Sequence, residues 1–178
     1  MAASNTRKRK MPTAITVASL QKRIPLKPRV ILIAAKKILR HEGVKRAEIS
    51  IVFVTDARIK SLNKKYLNQN NPTDVLAFNF LRHSDPAAVK RGKNLKVRRS
   101  FASLRMTEVH APQISGEIII SVDTAVKHAQ IYHTTPHREI LLYVVHGILH
   151  LLDYDDHRDA DIRKMRRKEQ ILMNVISK

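Results

Sequence analysis

The sequence predicts a single α+β domain in which a mixed four-stranded sheet packs against about five helices. Two observations support this fold class. Short segments rich in β-branched residues occur four times, and between them lie longer segments whose apolar residues recur every three or four positions. The chain has 178 residues, of which 43% are hydrophobic, so it is long and apolar enough to form one core. The predicted domain covers residues 14–178.

The first third of the chain reads as strand, helix, strand. Residues 14–19 alternate weakly between apolar and polar side chains, as a strand does. Pro28 suits the first turn of a helix whose apolar stripe runs to about His41, and Gly43 ends it. Residues 48–54 are rich in β-branched residues and predict a strand with one well-buried face.

The middle of the chain predicts one more helix and two more strands. Thr55 and Asp56 can cap a helix that breaks in residues 68–72, whose composition is typical of a turn. Residues 75–80 and 116–121 then predict the third and fourth strands.

The last third of the chain predicts three helices. The first covers about residues 122–132, and Thr135 with Pro136 forms an N-cap and first-turn pair for the second. That second helix runs to about residue 152 and is apolar almost all round, so it is the buried central helix. A last helix with one apolar face follows residue 157.

The charge balance is strongly basic. Lysine and arginine total 34 against 15 acidic residues, which gives a formal net charge of +19. Such an excess favours a polyanionic partner, with nucleic acid ahead of an anionic membrane. Residues 1–13 read as a basic disordered tail, and residues 82–112 as a basic, partly disordered insertion in the domain.

Composition also excludes several classes. Because the chain has no cysteine, disulfides, Fe–S clusters, cysteine zinc fingers and a thiol nucleophile are all excluded, and any metal must use histidine and carboxylate ligands. No apolar run reaches the roughly 18 residues that span a bilayer, and no signal-peptide core is evident. We therefore expect no membrane association and a cytoplasmic location.

Six of the nine histidines lie between residues 128 and 157, and His146 and His150 form the sharpest pair. Their i, i+4 spacing places both imidazoles on one face of the central helix, where they can meet a single ion. Two hydrogen-bonded core histidines are the alternative. Asp156 and His157, in the following turn, are rival third ligands for a site of the catalytic zinc type, which keeps one position open.

Two other residues of the central helix limit its chemistry. A zinc protease of the His-Glu-x-x-His type needs a glutamate where this chain has Gly147, which argues against a peptidase. A glycine there allows another element, or the substrate, to approach the helix closely. Glu139 lies on the histidine face, where it either orients an imidazole or only complements the start of the helix.

Four segments match, in order and spacing, the motifs of one known family. Residues 146–156 read His-Gly-Ile-Leu-His-Leu-Leu-Asp-Tyr-Asp-Asp, and residues 116–121 read Gly-Glu-Ile-Ile-Ile-Ser. Residues 62–66 read Leu-Asn-Lys-Lys-Tyr, and residues 72–78 read Pro-Thr-Asp-Val-Leu-Ala-Phe. Together they resemble the YbeY family, whose members are metal-dependent endoribonucleases of rRNA maturation.

The resemblance implies a function and a site. The function is a single-strand-specific, zinc-dependent endoribonuclease acting in rRNA processing, including 3′ end maturation of 16S rRNA, and in ribosome quality control. Its partners are ribosomal or other single-stranded RNA and the small ribosomal subunit. One Zn²⁺ per chain is held by His146, His150 and either Asp156 or His157, with Asp156 narrowly favoured. His146, His150 and Asp74 are the implied catalytic residues, although Asp74 could equally hold its own loop.

The chain departs from the family pattern at two positions that matter here. Asp153 stands where the family has glycine at the end of the central helix, and aspartate tolerates the left-handed conformation that this position requires. Leu67 stands where the family has an arginine. Lys64, Lys65 or Arg82 would then supply the RNA-binding charge. The alternative is a non-catalytic ribosome- or rRNA-binding protein with a structural metal site.

Overall fold

A computed structural model describes residues 13–81 and 113–178. The predicted tail, apart from Thr13, and the predicted insertion at 82–112 lie outside the described residues. The helices and strands are, in chain order, β1 (Ala14–Ser19), α1 (Pro28–His41), β2 (Ala47–Val54), α2 (Asp56–Leu67), β3 (Val75–Asn79), β4 (Ile114–Ser121), α3 (Val122–Ile131), α4 (Pro136–Leu151) and α5 (Asp159–Ser177). This order confirms the predicted α+β fold of four strands and five helices.

The four strands form one mixed sheet in the order β1, β2, β4, β3. β2 pairs in parallel with both β1 and β4, whereas β3 pairs antiparallel with β4. The pairing of Val75 with Ile120 brings the start of β3 beside the end of β4. The backbone N–H of Ser121 then donates to the carbonyl of Asp74 at 2.8 Å. The segment that enters β3 is thereby held at this edge of the sheet.

The two faces of the sheet pack against different helices. Along β4, Ile118 and Ile120 belong to the large core with α1, α4 and α5, whereas Ile119 joins a small cluster with α2. This alternation follows from the two-residue period of a strand. The helix α4 touches the sheet and the three helices α1, α3 and α5, so it is the buried central helix that its composition predicted.

At Gly147, α4 approaches the sheet closely. A Cβ atom at this position would lie 2.5 Å from Cγ2 of Ile118, so a side chain here would force Ile118 or the helix to shift. The sequence left open whether another element or the substrate approaches this glycine. The structure shows that strand β4 is the element that approaches it, so Gly147 allows α4 to pack closely against the sheet.

The ends of the helices confirm one prediction and adjust several bounds. Asp153, directly beyond the α4 cap, has a φ of 69°, the left-handed conformation expected there. Residues 154–158 then form the turn that connects α4 to α5. β2 and β4 begin at Ala47 and Ile114, earlier than predicted, because these two residues are themselves register partners. Within the described ranges, no helix is both long and apolar enough to cross a bilayer.

Candidate metal centre and active site

His146 and His150 face each other on α4. Their Nε2 atoms lie 2.9 Å apart, and the rings are nearly perpendicular. Both side chains are largely buried, with 19% and 27% of their surface exposed. The i, i+4 spacing therefore brings the two nitrogens to one point, as predicted from the sequence.

The opposite ring nitrogens are held by acceptors. Nδ1 of His146 donates to Oε1 of Glu169 at 2.7 Å, and Nδ1 of His150 donates to the carbonyl of Tyr154 at 3.1 Å. Since a carboxylate and a carbonyl only accept, the Nδ1 atoms carry the protons and both Nε2 lone pairs point to the shared position. Two lone pairs at 2.9 Å repel unless a proton or a cation lies between them.

Asp156 supplies the third donor atom. Its Oδ2 lies 3.8 Å from Nε2 of His146 and 3.9 Å from Nε2 of His150. One donor atom from each of these three residues lies within 4.8 Å of the others. Two imidazoles and one carboxylate, with one side open, are a donor set used by catalytic zinc. On this donor chemistry, the residues present fit a divalent ion.

His157 does not join this cluster. Its Nδ1 bonds instead to the carboxylate of Asp155, and the side chain is 60% exposed. Together with Asp155 and Asp156 it forms a separate group of potential ligands in which every member is exposed. The structure therefore brings Asp156, and not His157, beside the two histidines.

The electrostatic environment of the two histidines favours a cation. Burial lowers the pKa of His146, but the hydrogen bond and charge of Glu169, with the charges of Asp74 and Asp156, raise it overall. Burial and the neighbouring His146 lower the pKa of His150. Three carboxylates thus direct negative potential towards the point where the nitrogens converge.

Asp74 directly precedes β3, where it holds its own loop by hydrogen bonds and also acts electrostatically on α4. Its Oδ1 accepts hydrogen bonds from Oγ1 of Thr73 at 3.0 Å and from the backbone N–H of Val75 at 2.8 Å, so it does hold its own loop. Its charge also raises the pKa of His146, and after burial it is the largest cause of the raised pKa of Tyr143. Asp74 therefore acts electrostatically on the histidine face of α4.

The two predicted RNA-binding lysines lie away from the histidines. Lys64 and Lys65 are exposed near the end of α2, on the sheet face opposite α4, and Nζ of Lys65 lies 5.3 Å from the ring centre of Tyr66. Leu67 is 37% exposed at the end of the same helix. Arg82 lies outside the described residues. In the described ranges, no contact joins these lysines to the metal cluster.

Sequence reasoning missed Glu169. The signal was present, because Met165, Glu169, Leu172 and Ile176 follow i, i+4, i+7, i+11 spacing, which puts a carboxylate inside the apolar stripe of α5. Glu139, the candidate orienting residue, accepts instead from Oγ1 of Thr134 at 2.5 Å. Its role is thus local, at the start of α4.

This fold and site define a class: a small α+β protein with a candidate metal centre formed by two histidines of its central helix and one aspartate of the turn that follows it. Comparison with known proteins assigns the chain to a family. The family model described as Endoribonuclease YbeY matches residues 17–177. The chain therefore belongs to the YbeY family, which confirms the resemblance seen in the motifs.

Similar proteins span most of the chain. A protein described as endoribonuclease YbeY from Syntrophus aciditrophicus is 30% identical, with 94% of this chain and 92% of the relative covered. One from Desulfitobacterium hafniense is 36% identical, with 80% of each chain covered. A solution structure of a Thermotoga maritima protein aligns with a TM-score of 0.54 at 21% identity, covering 91% of this chain and 88% of that one, and supports the fold.

Proposed function

We propose that this protein is a metal-dependent endoribonuclease that cleaves single-stranded RNA in ribosomal RNA processing. The convergence of two imidazole nitrogens and one carboxylate oxygen, in a chain of the YbeY family, carries this proposal. The specific expectation is maturation of the 3′ end of 16S rRNA on the small ribosomal subunit, with a role in ribosome quality control. Such a substrate would place the enzyme in the cytoplasm.

We infer that His146, His150 and Asp156 would hold one divalent ion, for which Zn²⁺ is our candidate because imidazole and carboxylate suit it. When bound, the ion supplies Lewis-acid chemistry and lowers the pKa of water. Glu169 and the carbonyl of Tyr154 keep both imidazoles in the tautomer that leaves Nε2 free. The protein thus presents a preorganised set of donors.

Two further groups have proposed roles on the RNA. Asp74 is our candidate for accepting a proton during cleavage, because its charge acts on the histidine face and its carboxylate is only partly buried. Lys64, Lys65 and Arg82 would neutralise phosphates and replace the arginine that the family has where this chain has Leu67. The sequence feature behind the assignment of the two lysines is their position directly before Leu67.

Two other functions are less well supported. A non-catalytic ribosome-binding protein would explain Leu67, but the similar proteins that cover most of this chain are described as endoribonucleases. A peptidase is disfavoured because Gly147 offers no group to move a proton.

Cleavage of single-stranded RNA by the purified protein tests the proposed function. We expect cleavage to stop when a chelator removes the metal and to return when Zn²⁺ is added, because the donor set requires an ion for its chemistry. A matched duplex RNA and an unstructured peptide serve as control substrates, and neither should be cut. Cleavage that persists unchanged after chelation would contradict the metal-dependent mechanism.

The third ligand can be tested with paired variants. Asp156→Ala should reduce metal affinity by at least about 100-fold, since even partners of ligands contribute about 10–100-fold. His157→Ala should leave affinity near that of the wild type, because this side chain points to Asp155. Metal titration by calorimetry measures both. If His157→Ala lost the metal and Asp156→Ala retained it, the assignment would be reversed.

A further inference from the structure

An exposed row of arginines lies on α5, beside the candidate metal centre. Arg163, Arg166 and Arg167 are all exposed, and their i, i+3, i+4 spacing places them together on one side of the helix. We call these three residues the α5 arginine stripe. None of them belongs to the motifs discussed above.

One member of the stripe, Arg166, lies one helical turn from Glu169, the carboxylate that orients the candidate ligand His146. Arg166 precedes Glu169 by three residues, and residues at this spacing have Cβ atoms about 5–6 Å apart. The carboxylate of Glu169 is itself 2.7 Å from Nδ1 of His146. A strand of RNA that lay across the metal centre and continued over α5 would therefore come within reach of Arg166.

Within the described part of the chain, the charges of the stripe are not neutralised. Across residues 13–81 and 113–178, no carboxylate lies within ion-pair distance of the three arginines, whereas Arg158 pairs with Asp161 at 2.6 Å and Lys168 with Glu42 at 2.8 Å. Like charges at i, i+4 repel each other, so the stripe weakens its own helix slightly. A surface that is unfavourable for the free protein and adjoins a nuclease site suits a polyanionic ligand.

We propose that the α5 arginine stripe binds the phosphates of the RNA strand next to the cleavage point. This inference rests on the proposed function and extends it, because it adds a binding surface on the α5 side of the metal centre. Guanidinium groups bind phosphate oxygens in pairs of hydrogen bonds, so three arginines can hold successive phosphates in one direction. The strand would then run from the metal centre along α5.

The test compares two triple variants with equal loss of charge. The first, Arg163→Gln with Arg166→Gln and Arg167→Gln, removes the stripe. The control, Arg29→Gln with Lys36→Gln and Arg40→Gln, removes three exposed cations from α1, for which the described part of the chain likewise shows no ion pair. Glutamine is a good helix former, so both variants should fold, as circular dichroism can verify.

Binding of a single-stranded oligoribonucleotide is measured against salt concentration, with His150→Ala added to every protein so that the RNA stays intact. Each phosphate contact on a single strand contributes a slope of about −0.7 in log K against log salt, so loss of the stripe should reduce the slope by about 2. The α1 variant should keep the slope of its parent. In the cleaving background, the stripe variant should raise KM and leave kcat and metal content unchanged.

Equal slopes for the two triple variants would overturn the inference, and so would loss of bound metal in the stripe variant. If only binding to anionic phosphatidylserine vesicles fell, the stripe would be a membrane-binding surface and the inference would again be wrong. Failure of the proposed function has a different signature, because the wild-type protein would then bind RNA and not cut it.

Discussion

His150→Ala is expected to abolish both metal binding and RNA cleavage. The change removes one of the two Nε2 atoms that lie 2.9 Å apart, and the remaining pair of His146 and Asp156 provides only two donors. Metal ions contribute several kcal/mol to transition-state stabilisation, and about 1.4 kcal/mol corresponds to a tenfold rate change, so cleavage should fall about a thousandfold or more. Elemental analysis of freshly purified protein and an RNA cleavage assay measure the two effects.

His137→Ala is the matched control, because it makes the same change on the exposed start of the same helix. This variant should keep its metal and its activity. Circular dichroism should show that both variants are folded, since alanine is the best helix former. Residual cleavage by His150→Ala equal to that of the wild type would indicate a contaminating nuclease and contradict the assignment.

Glu169→Gln is expected to weaken metal binding without preventing folding. Glutamine can still accept a hydrogen bond from Nδ1–H of His146, but the substitution removes the negative charge that makes this imidazole a better metal ligand. Loss of such a partner lowers metal affinity by about 10–100-fold, and Glu169→Ala should fall at the larger end of that range. Competition with a chromophoric chelator measures the affinity directly, independently of cleavage.

Glu42→Gln is the control for this experiment. It removes a carboxylate that also contacts α5, through Lys168 at 2.8 Å; within the described residues its other partner is His41, and it has no contact with His146 or His150. We expect a small loss of stability and unchanged metal affinity. If Glu42→Gln weakened metal binding as much as Glu169→Gln, the effect would be general electrostatics and the positioning role of Glu169 would be wrong.

Much of the fold could be predicted because its signals are local. Pro28 and Gly43 bound α1, the alternation within residues 48–54 matches β2, and Thr135 accepts a hydrogen bond as the N-cap of α4. The bounds that shifted, such as the start of β4 at Ile114, depend on pairing with another strand. Such pairing cannot be read from the residues of one strand alone.

The sequence by itself determined that His146 and His150 share a face, because the helical period imposes this at four-residue spacing. It also determined that any metal site must lack thiolate ligands, because the chain contains no cysteine. Only the tertiary structure decided that Asp156 turns towards the histidines while His157 turns to Asp155, and that Glu169 reaches across from α5. The physical reason is that periodicity fixes only which residues of one helix share a face, whereas these contacts depend on the path of the turn after α4 and on how α5 packs against the central helix.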